Sequence, residues 1–312
     1  MKSIRKIPLK LMVFFCIFLF PFLVSAEEKK PVPHVVVSIK PLHSLVCCLM
    51  EGIGTPELLV KGSSSPHNFS LRPSDVKAVS RADLLVWIGS SFEIFLEKPV
   101  RNSRKNLDLL TLSEALSEKL LPLDSQHSCE DPDHDHGDLA QDYHFWLDPR
   151  LAGETVFLLA EKLSSLDETR RDLYFLNAEK TAKKLYALDL EIRKQLQPVK
   201  DAPFFVFHPA YQYFEKAYGL NQVGVIAINP ERQPGARTVA EIRKRIREMK
   251  VQCVFSEPQF ESKLVETLVE GTGAGRDVLD PLGADLTEGS EMYFILLKNL
   301  ADNFSGGLAV KQ

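Results

Sequence analysis

Residues 34–50 read HVVVSIKPLHSLVCCLM, and they predict a buried β-strand that is followed directly by a helix. The strand is rich in β-branched, apolar residues, which is typical of a strand covered on both faces. Pro41 and His43 then open an apolar helix that extends to Met50. Residues 203–218, PFFVFHPAYQYFEKAY, repeat the same order in the second half of the chain. The two stretches indicate parallel strands joined by helical crossovers, and therefore an α/β protein.

Further short strands follow the same pattern. They are predicted over 58–61, 83–89 and 107–110 in the first half, and over 223–228, 251–255 and 277–279 in the second. Between the halves, a helix begins near Asp167 and is ended by Pro198. About 30 residues at 1.5 Å each give it a length of roughly 45 Å. We therefore expect two lobes of parallel-type sheet flanked by helices (27–165 and 199–312), joined by a long rigid backbone helix (166–198).

The first 26 residues have the organisation of a secretory signal peptide. Four basic residues precede an apolar run over 11–24, and Val24-Ser25-Ala26 offers small residues for cleavage by signal peptidase. The alternative is a membrane anchor, but this run is shorter than the roughly 20 residues that span a bilayer. We expect the signal to be removed and the protein to act in the periplasm, without a membrane span and as a monomer.

The remaining composition excludes several classes of partner. After residue 26 the chain has 34 basic and 42 acidic residues, a formal net charge of −8. This charge argues against binding to nucleic acid. The four cysteines left, Cys47, Cys48, Cys129 and Cys253, lack the spacing of a zinc ribbon, and no disulfide can be assigned from the sequence.

Four possible metal ligands lie just after a predicted strand or where a new element begins. They are His67, His144, His208 and Asp280. Because the carboxyl ends of parallel strands border the ligand crevice of an open sheet, these side chains could converge between the lobes. Three imidazoles and one carboxylate suit zinc, whereas manganese prefers more oxygen ligands. Imidazole binds metal in its neutral form, so we expect capture to weaken as the pH falls through about 6.5.

Several segments resemble the zinc-binding proteins of ABC importers, the ZnuA type, in order along the chain. The segments are SIKP (38–41), SPHNFSLRPSD (65–75), HFWLDP (144–149), FHPAY (207–211), NPERQPG (229–235), EPQF (257–260) and LDPLG (279–283). The resemblance implies a zinc cleft between two lobes and delivery of zinc to a membrane permease. It also implies that His67, His144 and His208 bind zinc, with Asp280 as a ligand or nearby carboxylate. Glu257 is interpreted as a supporting carboxylate rather than a general base.

Departures from the family pattern leave the fourth ligand open. Some zinc-binding members have an acidic residue before the first histidine, where this chain has Pro66, so the fourth ligand is Asp280 or water. The manganese branch has a carboxylate at the position of His208, which makes this histidine the residue that favours zinc.

Residues 124–142 are almost devoid of apolar side chains and predict a mobile acidic loop. Its histidines, His127, His134 and His136, either collect zinc weakly or have no role.

Two functions other than zinc capture have less support in the sequence. A secreted zinc hydrolase could use the same three histidines with a bound water. However, the chain has no His-Glu-x-x-His helix and no evident nucleophile, so we predict that it is not an enzyme. An adhesin role has no signature in the sequence and would be additional to capture.

Overall fold

Two four-stranded parallel sheets form the framework of the computed structural model, which describes residues 31–123, 141–227, 234–260 and 263–309. The strand orders are β2-β1-β3-β4 in the first half and β10-β9-β7-β8 in the second, and β5 and β6 form a short antiparallel pair. The strands are β1 Val35–Val37, β2 Glu57–Leu58, β3 Leu84–Trp87, β4 Asp108–Thr111, β5 Leu121–Pro122, β6 Gln141–Asp142, β7 Phe204–Val206, β8 Gln222–Val225, β9 Cys253–Ser256 and β10 Gly275–Val278. The predicted α/β class with two parallel sheets is confirmed.

Helices cover these sheets. They are α1 Lys40–Leu49, α2 Pro73–Arg81, α3 Glu97–Arg101, α4 Leu112–Ala115, α5 Pro149–Leu166, α6 Arg171–Leu196, α7 Gln212–Tyr218, α8 Ala236–Glu248, α9 Lys263–Val269 and α10 Met292–Leu308. Short 3₁₀ turns occupy Ile94–Leu96, Ser117–Lys119, Phe145–Leu147 and Glu168–Arg170. Among the described residues, no helix combines the length and the apolar character needed to cross a membrane.

Proline and a carboxylate fix the starts of two helices beside the predicted ligands. Pro73 begins α2, where the Asp75 side chain accepts a hydrogen bond from the Arg72 amide at 2.8 Å. Pro149 begins α5, where Asp148 caps the helix by accepting from the Arg150 amide at 2.9 Å. The carboxylates accept hydrogen bonds from backbone amides at the helix start, and proline has no amide N–H that would need a partner. Residues close in sequence therefore determine where these two helices begin.

The long helix is present, and it packs on both halves of the chain. Its 26 residues correspond to about 39 Å. The predicted stripe is buried and consists of Leu185, Leu188, Ile192 and Leu196. The helix contacts α1 and α5 from the first half and α7 and α10 from the second. Asn177 of α6 also donates to the carbonyls of Leu49 and Glu51, at 3.0 Å each, and so caps the end of α1.

The largest hydrophobic core is shared between the two sheets. It contains residues of α1 and the first sheet together with residues of α10 and the second sheet. Separate smaller cores cover the outer face of each sheet. The chain from Pro31 onward accordingly forms one compact unit.

The structure moves one predicted boundary. The polar interruption was expected to extend to residue 142, but Gln141 and Asp142 form β6 and pair with β5. Of the adjacent cysteines, Cys48 is buried and Cys47 is partly exposed, and both are free thiols. Cys129 and the loop histidines His127, His134 and His136 lie outside the described residues.

Candidate metal centre

The second sheet presents three polar side chains at the carboxyl ends of adjacent strands. His208 follows β7, Glu257 follows β9 and Asp280 follows β10. Because β7, β9 and β10 are neighbours in the sheet, these side chains leave it along one edge. Such an edge is where open parallel sheets bind ligands.

The first half contributes two histidines from different kinds of segment. His67 lies in the loop between β2 and α2, and its amide donates to the Ser65 hydroxyl at 3.3 Å. His144 precedes the 3₁₀ turn Phe145–Leu147 and therefore lies between β6 and α5.

The three histidines come together in space. One ring nitrogen from each of His67, His144 and His208 lies within 4.8 Å of the other two. The ring centroids are 5.3 Å apart for His144 and His208, and 5.9 Å apart for each pair that includes His67. Within the described residues, no other group of three or more histidine, cysteine or acidic side chains has its ligand atoms this close to one another.

Two of the imidazoles are oriented by buried carboxylates. His144 Nδ1 is 2.8 Å from Asp142 Oδ1, and His208 Nδ1 is 2.6 Å from Glu257 Oε1. Each carboxylate fixes the tautomer in which Nδ1 carries the proton and Nε2 offers its lone pair. His208 Nε2 is buried and has no hydrogen-bond partner among the described residues. A carboxylate behind the imidazole is the usual support of a metal-binding histidine.

Apolar side chains enclose the histidines. Phe92 contacts His67 edge to face, with centroids 4.9 Å apart, and Trp146 lies 5.1 Å from His144. Phe260, Pro281 and Leu282 complete the wall. The cavity measures at most about 250 Å³, below the roughly 300–1,000 Å³ of typical pockets for organic ligands. The space is therefore suited to an ion.

Burial determines the protonation of the site. It lowers the pKa of His67 to about 2, and His208 and His144 nearby add to this shift. It also holds the pKa of His144 well below its ordinary value. Burial raises the pKa of Asp142 to about 7 and shifts the pKa of Glu257 upward. The imidazoles of His67 and His144 are thus kept in the neutral form that binds a metal.

Asp280 lies outside the histidine cluster. Its carboxylate accepts a hydrogen bond from Gln259 Nε2 at 2.9 Å. It also accepts from three backbone amides, those of Leu282, Gly283 and Ala284, at 2.5–3.0 Å. Of the four predicted ligands, the structure therefore brings the three histidines together. The fourth, Asp280, instead accepts hydrogen bonds from a glutamine side chain and from the backbone.

Asp142 lies beside this site, although the sequence patterns did not predict it there. It was grouped with the acidic loop, but it is 1% exposed and supports His144. The Asp-x-His spacing in residues 142–144 could have indicated this role, but the acidic composition of residues 124–142 placed Asp142 in the loop.

A family model described as "Zinc-uptake complex component A periplasmic", ZnuA, matches residues 35–307. The chain belongs to the ZnuA family. The high-affinity zinc uptake system protein ZnuA of Brucella suis is 39% identical over an alignment of 307 residues that covers 88% of this chain and 91% of that protein.

Solved ZnuA structures share the fold. A crystal structure of ZnuA superposes with a TM-score of 0.76 at 27% identity, covering 89% of this chain and 100% of that one. A ZnuA deletion mutant with zinc bound gives a TM-score of 0.75 at 27% identity, covering 90% of this chain and 100% of that one.

Members of the ZnuA family are the periplasmic zinc-binding components of uptake systems, which makes them solute-binding proteins and not enzymes. The predictions of the family, of zinc as ligand and of a non-enzymatic role are confirmed.

Proposed function

We propose that this protein captures one zinc ion with His67, His144 and His208 and delivers it to an ABC permease for uptake. The observation that supports this most directly is the group of three imidazole nitrogens within 4.8 Å, two of them backed by buried carboxylates. The similar ZnuA structure that was solved with zinc supports the identity of the ion.

Zinc favours four ligands in a tetrahedron, so a fourth position remains beside the three imidazoles. Because the Asp280 oxygens are engaged by other donors, we assign this position to water. The buried carboxylates Asp142 and Glu257 lie behind the ligands, where they offset the double charge of the ion without touching it. This charge balance explains how a site of three neutral ligands retains a divalent cation.

The cellular route follows the same proposal. Residues 1–26 direct export and are removed, and the mature chain acts as a periplasmic monomer. Residues 27–165 and 199–312 act as lobes on either side of the ion, and the α6 helix limits their relative movement. Docking on the permease opens the site and releases zinc.

Metal analysis and titration calorimetry on the mature protein test capture. The wild type should bind one zinc per chain tightly, and His208→Ala should weaken binding by at least about 100-fold because one of three ligands is lost. The matched control is His34→Ala, which removes an exposed histidine paired with Glu57. A wild type without a tight site, or His208→Ala with unchanged affinity, would contradict the proposal.

Delivery requires a separate measurement. Zinc-limited growth of a strain that lacks its own zinc-binding component should be restored by the wild type and not by His208→Ala. Restoration by both variants would mean that the histidine cluster does not supply the permease.

A further inference from the structure

Residues 280–291, which make up most of the loop between β10 and α10, are held together from within by Asp280. Asp280 Oδ1 accepts from the amides of Leu282 and Gly283 at 3.0 Å, and Oδ2 accepts from the Ala284 amide at 2.5 Å. Gly283 has a φ of +71°, a left-handed conformation that glycine adopts without strain. These amides form a cage around the carboxylate and compete with a metal ion for its oxygens.

The same loop is held from the first half of the chain by Lys40. This residue of α1 is only 6% exposed. Its ammonium donates to the carbonyls of Gly283, Ala284 and Leu286 at 2.8, 2.7 and 3.1 Å. An ammonium has three N–H donors, and all three therefore have a partner. Replacing Lys40 with an apolar residue would leave three carbonyls without this donor.

The cage and the anchor share the same peptides. Gly283 and Ala284 give their N–H groups to Asp280 and their carbonyls to Lys40. Pro281 and Leu282, which belong to the same loop, line the metal cavity. Movement of the loop would therefore change both the wall of the metal site and the position of the Asp280 carboxylate.

We propose that Lys40 is a positioning residue that determines metal specificity. By fixing residues 283–286 to α1, it keeps Asp280 in its amide cage and out of the coordination sphere. The site then presents three imidazoles and one open position, a set that suits zinc better than cations that prefer oxygen, such as manganese. This inference rests on the proposed zinc site at the three histidines.

Lys40→Met tests the inference because it removes the ammonium and retains most of the side-chain volume. Zinc and manganese affinities are measured by competition, and the visible spectrum of the cobalt-substituted protein reports coordination number. We expect manganese affinity to rise at least about tenfold relative to zinc, since a carboxylate becomes available. We also expect the cobalt absorption to weaken, as it does when a fifth ligand joins a tetrahedral site.

Two companion variants show whether Asp280 carries the effect. Adding Asp280→Asn to Lys40→Met should restore the wild-type ratio and spectrum, because a neutral amide is a poorer ligand. Asp280→Asn alone should leave the cobalt spectrum unchanged. A changed spectrum in that single variant would show that Asp280 already binds the metal in the wild type and would overturn the proposal.

Lys184→Met is the matched control. This lysine of α6 forms a 2.6 Å ion pair with Glu291 at the end of the loop, but the pair is exposed and the ammonium contacts a carboxylate rather than a loop carbonyl. Its metal preference should equal that of the wild type. A folded Lys40→Met protein with an unchanged zinc-to-manganese ratio and spectrum would refute the role of Lys40, whereas absence of tight zinc in the wild type would refute the proposed function instead.

Ser44→Ala keeps the test decisive should Lys40→Met fail to fold. The Ser44 hydroxyl donates to the Gly289 carbonyl at 2.6 Å and thus anchors the other end of the loop. Its removal should shift the metal ratio in the same direction, by about threefold. Lys40→Arg, which keeps the donors, should retain the wild-type ratio. No shift in Ser44→Ala would overturn the proposal.

Discussion

Replacing Glu257 with glutamine removes the charge behind His208 while keeping the shape of the side chain. Glu257 and His208 are 3% and 4% exposed, and their hydrogen bond is 2.6 Å long. An ionised carboxylate can only accept from Nδ1, so it leaves Nε2 free to bind. An amide can also present its NH₂ group to Nδ1, and this favours the tautomer whose Nε2 carries a proton and cannot bind zinc.

The expected loss of zinc affinity follows from this geometry. Zinc on Nε2 would lie roughly 6 Å from the carboxylate, on the far side of the ring. A double positive and a single negative charge at that distance attract by about 5 kcal/mol at an effective dielectric constant near 20. Most of this is offset, because burial raises the pKa of Glu257 and thereby disfavours the charge that attracts the ion. We therefore expect zinc to bind about 10–100-fold more weakly, or about 1.4–2.7 kcal/mol.

Competition with a chromogenic chelator near neutral pH measures the dissociation constant. Glu248→Gln is the matched control, since it makes the same chemical change on the exposed side of α8. Circular dichroism establishes that both variants are folded. A folded Glu257→Gln protein that binds zinc within about twofold of the wild type would refute the role assigned to this carboxylate.

Three further predictions concern the site and its surroundings. Asp142→Asn should weaken zinc binding by about 10–100-fold in the same competition assay, because it removes the carboxylate behind His144; unchanged affinity would mean that the pair is only structural. Burial lowers the pKa of His67 to about 2. Below about pH 6.5 this imidazole therefore binds a proton in the unfolded chain but not in the folded metal-free protein. The free energy of unfolding should then decrease by about 1.4 kcal/mol for each unit by which the pH falls. Urea unfolding of chelator-treated protein at several pH values should show a shallower slope in His67→Gln, and equal slopes would contradict a buried neutral imidazole. Gly283→Ala should lower the free energy of unfolding by about 1–3 kcal/mol, because its φ is +71°, whereas Gly153→Ala inside α5, where an added Cβ meets nothing within 4 Å, should raise it by about 0.5–1 kcal/mol; thermal unfolding that ranks the two variants the other way would show that backbone strain does not decide their stability.

The sequence by itself determined the local structure and most of the candidate ligands. Runs such as 35–37 and 204–206 are apolar enough to form strands buried on both faces, and Pro73 and Pro149 mark helix starts without help from distant residues. Because the carboxyl ends of parallel strands face one crevice, the order of elements alone suggested that His67, His144 and His208 could meet. A pattern of short-range signals is sufficient for such inferences.

Only the tertiary structure decided which carboxylates are buried and which groups they contact, because their local sequence does not reveal this. Asp142 belongs to a run of acidic residues, and its burial depends on the pairing of β5 with β6. Asp280 follows a strand as His208 does, yet its carboxylate is enclosed by amides of a loop that Lys40 holds from α1. The shared core between the sheets likewise depends on helices from both halves. The Lys40 ammonium reaches carbonyls more than 240 positions away in the sequence, and no local pattern records which distant donor such a carbonyl will meet.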